Sequence, residues 1–216
     1  ACAGRSPMTE TLEMITAAGG SGSEHLADLS DKTAAVALYE AAARQDGPFD
    51  ILVNNAGIIR RADAVDFSEA DWDDVLDLNL KTAFFLSQAF GKAAMADDRH
   101  AAIVNIASVL SFQGGIRVAS YTASKHGICG LTRLLACEWA ARNVNVNAIA
   151  PGYIVSNNTE ALREDPDRSA AILGRIPAGR WGEASDIGGA AVFLASDAAR
   201  YVHGAVLPVD GGWLAR

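Results

Sequence analysis

Asn105-Ile106-Ala107-Ser108 and, past a glycine-bearing loop, Tyr121-Thr122-Ala123-Ser124-Lys125 form the stretch around which the chain is organised. The apolar run that begins at Ile103 ends at Ser108, and a helix opens at Tyr121 with Ile128, Leu131, Leu135 and Trp139 on one stripe. A hydroxyl therefore stands on the loop ahead of the helix. On the helix, Tyr121 and Lys125 stand at i and i+4, on one face and one turn apart. A phenol near its reference pKa of about 10 is a reluctant acid at neutral pH, and an ammonium one turn away favours its ionised form. Such a phenol can exchange a proton with an alcohol or ketone oxygen while Ser108 holds the same oxygen by a hydrogen bond.

By itself Tyr-x-x-x-Lys is a common pair, since a tyrosine on a helix usually packs and a lysine is usually solvated. Here other runs end in the same manner. Asn54-Asn55-Ala56-Gly57 closes Ile51-Leu52-Val53, and Pro151-Gly152 follows Val144-Asn145-Val146-Asn147-Ala148-Ile149. A short apolar run without alternation, such as Ile51-Leu52-Val53, suits a parallel strand covered on both faces. In this order, and over nearly the whole chain, the motifs resemble the short-chain dehydrogenase/reductase family.

The resemblance implies an α/β fold, a Rossmann-type doubly wound parallel sheet in three layers, with residues 1–216 as one dinucleotide-binding oxidoreductase domain. It implies a nicotinamide cofactor, NAD or NADP, received at the carboxyl ends of the strands. Asn55, Ala56 and Gly57 would lie against that cofactor, Lys125 would hold its ribose beside Tyr121, and Pro151 and Gly152 would line its far side. Ser156 and the backbone of Ile154 would hold the carboxamide. Asn79, within Asp77-Leu78-Asn79-Leu80-Lys81, is either a core amide joined to backbone or the holder of a water that begins a proton relay at Lys125. It falls on the apolar stripe Trp72, Val75, Leu76, Ala83 and Leu86 of one long helix that starts at Ser68 or Asp71.

In the family a first strand, a glycine-rich phosphate turn and a first helix precede the point where this sequence begins. We therefore expect one more strand-helix unit, on the order of thirty residues. Without it, the sheet would split between Ala1-Ala3 and Asp50-Asn54. Gly19-Gly20-Ser21-Gly22 follows a helix-like stretch, Met8 to Ala18, and reads as a helix-to-strand turn. Gly4 stands where an acid would receive the ribose hydroxyls of NAD, and Arg5 comes next, a pattern that leans towards NADP. Leu26-Ala27-Asp28-Leu29 resembles the third strand. There Asp28, with Leu29 beside it, either contacts adenine or caps the helix Asp31 to Gln45.

Composition narrows the partners. Half of the 216 residues are hydrophobic and 20% are charged, as in an ordinary globular chain. A net charge of -8 argues against nucleic acid and anionic membrane surfaces as partners. No apolar run approaches the length of a membrane span. Cys2, Cys129 and Cys137 read as reduced thiols of a cytoplasmic protein, and His25, His100, His126 and His203 lack ligand spacing, so no metal is expected. Related enzymes pack their two long helices against another subunit, which implies a homodimer or homotetramer.

Within the family, Asn54-Asn55-Ala56-Gly57-Ile58-Ile59-Arg60-Arg61, Ser111 to Val118 and Arg175-Ile176-Pro177-Ala178-Gly179-Arg180-Trp181-Gly182 resemble the sugar-acid dehydrogenases. The substrate implied is a keto or hydroxy sugar acid such as 2-dehydro-3-deoxy-D-gluconate or 2-deoxy-D-gluconate. Arg60 or Arg61 and Arg117 offer guanidinium forks for its carboxylate, although a single arginine is more often a solvated surface residue. Gln113 would meet a sugar hydroxyl, and residues 156–182 would form a lid over substrate. The rival readings are a reductase of 3-oxoacyl thioesters or another small ketone, and a noncatalytic paralogue. A serine hydrolase is poorly matched, since Ser108 lacks the Gly-x-Ser-x-Gly elbow.

Overall fold

The computed structural model describes residues 1–216. Six strands alternate with helices: β1 (Cys2–Gly4), α1 (Thr9–Ala17), β2 (Glu24–Leu26), α2 (Lys32–Asp46), β3 (Ile51–Asn54), α3 (Glu69–Leu76) and α4 (Ala83–Ala96). Then follow β4 (Ala101–Ile106), α5 (Ala119–Trp139), β5 (Val144–Pro151), α6 (Glu160–Glu164), α7 (Pro166–Leu173), α8 (Ala184–Ala195) and β6 (Val206–Val209). Every strand pair is parallel, as crossover helices require. Register sets Asn54 opposite Asn105 and Asn105 opposite Ala148, so these strands run out at one edge, where open α/β sheets bind ligands.

The core is in layers. One face of β4 and β5 meets α4 and α5 through Phe90, Ala94, Ile103, Leu135, Val144 and Val146. The other face meets α8 through Val104, Ile149 and Leu194. Burial on both faces explains why these runs are almost continuously apolar. Asparagines interrupt the strands, and two of them are joined to each other. Asn54 Nδ2 donates to Ser87 Oγ at 2.9 Å and to Asn105 Oδ1 at 2.8 Å, and Asn105 Nδ2 donates to Thr132 Oγ1 at 2.9 Å. This chain of buried amides ties β3, α4, β4 and α5 together and holds the strand ends level.

The sheet stands in two parts, β1-β2 and β3-β4-β5-β6, which face each other across a largely apolar cavity of about 330 Å³. Here one expectation is corrected. Leu52 leans on the Phe90 cluster, but Ile51 and Val53 on the other face of β3 are 49% and 46% exposed. The helix α8 packs on β4, β5 and β6, and β3 is left with one face open.

Three local features also differ from the sequence reading. The long helix starts at Ser68, whose hydroxyl accepts from Asp71 N at 3.1 Å, and is broken by a π-helical turn over Asp77–Thr82. Trp72 lies outside the buried stripe and is 39% exposed. The strand β2 ends at Leu26, so Asp28 is in a turn, where its carboxylate accepts from Ser30 N at 3.0 Å and Ser30 Oγ at 2.8 Å. The cap of α2 is Asp31, which accepts from Thr33 N at 2.8 Å. Gly19 to Gly22 do join α1 to β2 as a helix-to-strand turn.

Candidate active site

Ser108 leaves β4 in extended backbone and caps a single 3-10 turn, its Oγ accepting from Leu110 N at 3.1 Å. Ser111 Oγ in that turn donates to the carbonyl of Lys125 at 2.7 Å, which fixes the loop against α5. Tyr121, on α5, and Ser108 open together into a cavity of about 580 Å³. Lys125 points inward, 5% exposed, and its Nζ donates to the carbonyl of Ile106 while lying 5.4 Å from the centre of the Tyr121 ring.

Burial pushes the Tyr121 phenol above its ordinary value, and the Ser108 hydroxyl, followed by the Arg61 guanidinium, pulls it back. Burial drives the Lys125 ammonium down to about 8. Lys125 keeps its ammonium 5.4 Å from the centre of the Tyr121 ring, close enough to favour the phenolate. That ammonium is anchored by the Ile106 carbonyl, and Ser108 and Arg61 favour the phenolate as well.

Asn79 lies in the π turn with its amide doubly bonded to the loop after β3: Oδ1 accepts from Ile58 N and Nδ2 donates to Ile58 O, both at 2.9 Å. Its Nδ2 also reaches Ser124 Oγ at 3.4 Å, next to Lys125. The core-amide alternative thus describes its direct bonds. A π turn adds a residue to the helical circuit and commonly marks functional positions. Gly57 allows this approach, because a Cβ there would sit 3.1 Å from Asn79 Oδ1.

The remaining residues follow the strand ends in order. Arg5 is exposed just beyond β1, and Leu29 is buried with its carbonyl accepting from Thr82 Oγ1 at 2.8 Å. The exposed Asp28 carboxyl is held below its usual range by its hydrogen bonds from Ser30, with a smaller pull from Arg5. Asn55 and Ala56 border the 330 Å³ cavity. Pro151 ends β5 opposite Val209, Gly152 N donates to Val209 O at 3.0 Å, and Gly152 lines the larger cavity. The Ile154 carbonyl accepts from Thr159 Oγ1 at 2.6 Å, and Ser156 N donates to the same hydroxyl at 3.2 Å.

The arginines sort differently from the sequence reading. Arg60 pairs with Asp71 at 3.2 Å and Asp74 at 3.0 Å, and Arg117 pairs with Asp63 at 3.2 Å; neither lines the cavity. Both belong to surface ion pairs, and they are withdrawn as substrate ligands. Gln113 does line the cavity, its carbonyl accepting from Trp213 Nε1 at 3.2 Å. Arg61, Arg168 and Arg175 line it as well, with Tyr153 and Trp213. Arg168 is on α7 and Arg175 in the turn after it, so no helical spacing in the sequence links the pair.

A phenol, a hydroxyl and a buried ammonium gathered at the carboxyl ends of a doubly wound parallel sheet define a dinucleotide-binding oxidoreductase. The family model described as enoyl-(acyl carrier protein) reductase matches residues 2–214. The 2-dehydro-3-deoxy-D-gluconate 5-dehydrogenase of Escherichia coli is 59% identical over 208 residues, which is 96% of this chain and 82% of that protein. A crystal structure from Agrobacterium tumefaciens, assigned as a 2-deoxy-D-gluconate 3-dehydrogenase with bound NADP, is 63% identical with a TM-score of 0.93, covering 100% of this chain and 85% of that one. Another from Beutenbergia cavernae, assigned as an NAD(P)-dependent gluconate 5-dehydrogenase with bound NADP, is 54% identical with a TM-score of 0.95, covering 99% and 86%. The chain belongs to the short-chain dehydrogenase/reductase family and is an oxidoreductase of that family.

Proposed function

We propose that this dehydrogenase interconverts the keto and hydroxy forms of a sugar acid such as 2-dehydro-3-deoxy-D-gluconate or 2-deoxy-D-gluconate, with NADP as its hydride carrier. The observation that carries the reading is the cavity in which Ser108 and Tyr121 meet Arg61, Arg168 and Arg175. None of the three guanidinium groups is in a salt bridge, although the chain has a net charge of -8. Arginine meets carboxylate through two parallel hydrogen bonds, so an acidic ligand accounts for a cationic cavity in an acidic protein. The names of the Escherichia coli and Agrobacterium relatives point to the same class of acid. A 3-oxoacyl thioester would call for a broad apolar lining instead.

The residues fit a dinucleotide. An ammonium has three donors, and Lys125 gives one to Ile106, leaving two that suit ribose hydroxyls. Arg5, beyond a strand that ends in Gly4, suits a ribose phosphate, and both solved relatives hold NADP. Asp28, Leu29, Asn55, Ala56, Gly57, Pro151, Gly152, Ile154 and Ser156 follow one another along the same edge. The bound nicotinamide supplies or accepts the hydride.

Tyr121 gives its phenolic proton to the ketone oxygen in reduction and takes it back in oxidation. Ser108 donates a hydrogen bond to that oxygen and so favours the charge that develops on it. Asn79 holds the Gly57-Ile58 loop to the π turn and, through Ser124, sets the helix that bears Tyr121 and Lys125. A water beside Asn79 and Lys125 would renew the phenolic proton. Residues 156–182 close over the substrate, so α6 and α7 form the lid.

We place the protein in the cytoplasm, as its free Cys2, Cys129 and Cys137 suit a reducing compartment. No helix is long and apolar enough to cross a membrane. Trp72 on α3 and Leu134 on the adjoining α5, 39% and 46% exposed, support a homodimer or homotetramer through these helices. The test is a panel of 2-deoxy-D-gluconate, a 3-oxoacyl thioester and a neutral alditol with each nicotinamide cofactor. The highest kcat/KM is expected for the sugar acid with the NADP couple, and a higher value for the thioester overturns the reading.

A further inference from the structure

Trp213 is 3% exposed and carries the Arg175 guanidinium over its ring, 3.9 Å from the centroid. The indole is fixed from two sides. Its Nε1 donates to Gln113 Oε1 at 3.2 Å, and the Tyr153 ring packs at 4.5 Å between centroids. The turn that carries it is bound by Asp210, which accepts from Gly212 N at 2.8 Å and Leu214 N at 2.9 Å. Arg216 Nη2 donates to Gly174 O at 2.7 Å and ties the end of the chain to the residue next to Arg175. Stacking occupies the face of a guanidinium and leaves its in-plane N–H donors free. Arg168, on α7, lines the same cavity, and Arg175 follows in the turn past the end of that helix. Neither arginine has an acidic partner, while Arg61 already donates to Asn158 O at 2.7 Å and stands close enough to Tyr121 to lower its phenol.

We propose that Arg168 and Arg175 are the seat of the substrate carboxylate, with Trp213 and the C-terminal turn as the positioning support for Arg175. This rests on the sugar-acid reading and gives it a direction. The reacting carbon lies at Ser108 and Tyr121, and the acid end points to α7. The separation between the two ends then selects which carbon of the acid reacts. Gln113, held by the same indole, offers its amide protons to a hydroxyl between them.

The test compares 2-deoxy-D-gluconate with 2-deoxy-D-glucitol, its neutral counterpart, in the parent protein and in Arg175→Ala, Arg175→Lys and Arg168→Ala. A charge-assisted fork lost from the binding site weakens binding by about 10- to 100-fold. Each alanine variant is expected to raise KM and the directly measured Kd for the acid on that scale with little change in kcat. The Kd for NADP should stay near that of the parent, which also certifies the fold, and Arg175→Lys should recover part of the loss. A parent that fails to oxidise the acid overturns the sugar-acid reading together with this one. A parent that prefers the acid, with alanine variants that keep the same preference, overturns the carboxylate seat alone.

Discussion

The Lys125 ammonium donates to the main-chain carbonyl of Ile106, joining the helix that bears Tyr121 to the last residue of β4 by a charge that is only 5% exposed. Burial holds its pKa down at about 8, below the value of 10.5 that it has when solvated. Between those two values the unfolded chain binds more protons than the folded one, so stability attributable to this group rises as pH climbs from about 8 to about 10.5. Below about 8 the cost of the buried charge is fully present. Lys125→Met should therefore stabilise the fold at pH 7 by about 1–3 kcal/mol, net of the lost hydrogen bond, while abolishing turnover. Thermal melts across this pH range check the sign. The gain should fade above pH 8, and a variant that melts lower than the parent at pH 7 contradicts the account.

Tyr121→Phe removes the phenol on which the Ser108 hydroxyl acts. Turnover should fall below detection in both directions while cofactor affinity stays near that of the parent, because the ring still packs against the same helix. Steady-state rates and a cofactor titration measure the two separately. Turnover within about tenfold of the parent, a barrier change of only about 1.4 kcal/mol, counts against the assigned role.

Ser108→Ala should slow the reaction by about 10²- to 10³-fold, the usual cost of one donor to a developing oxyanion. It should also move the pH profile. The Ser108 hydroxyl is the largest influence that lowers the Tyr121 phenol, so its removal raises the phenol further and shifts the rising limb of alcohol oxidation to higher pH. Arg61→Gln should shift the limb in the same direction by a smaller amount. Rate profiles over pH distinguish these outcomes from an acid shift, which would place the proton on another group.

Asn79→Leu should leave the N–H and carbonyl of Ile58 without their partners, at a cost of about 1–3 kcal/mol each if they remain dry. Both lower stability and weaker cofactor binding are expected, as the Gly57-Ile58 loop loosens. Asn79→Asp keeps an acceptor for Ile58 N and loses the donor to Ile58 O, so it should fall between the two. Denaturation midpoints and cofactor titrations rank the three proteins.

Much of this arrangement was legible because strand ends carry local signals. Ser108, Gly57 and Gly152 each close an apolar run, and the i, i+4 spacing of Tyr121 and Lys125 sets their common face without tertiary information. The π turn was not legible, since one added residue at Asp77–Thr82 leaves the apolar period almost intact on both sides. The arginines were misassigned for a related reason. Whether Arg60 or Arg61 faces the cavity depends on the surface carboxylates of Asp71 and Asp74, which capture Arg60 only once α3 is folded beside it. The role of Trp213 depends on a contact with Gln113 across 100 positions in sequence, which no local pattern carries.

Gly152 gives the last prediction, because it links the strand end to the C-terminal turn. A Cβ added there would lie 2.6 Å from Asp210 Cα, 2.9 Å from its Cβ and 3.0 Å from its carbonyl oxygen. Two of those atoms are backbone and cannot rotate away, so Gly152→Ala must push the Asp210 turn outward. That turn holds Trp213, and Trp213 holds Arg175. The substitution should lower stability by about 1–3 kcal/mol, the range for overpacking, and should also raise KM for the sugar acid more than it lowers kcat. Thermal melts and steady-state kinetics on Gly152→Ala measure both effects. A protein that loses stability but keeps its KM would show that the Asp210 turn moves without carrying the indole and its guanidinium along.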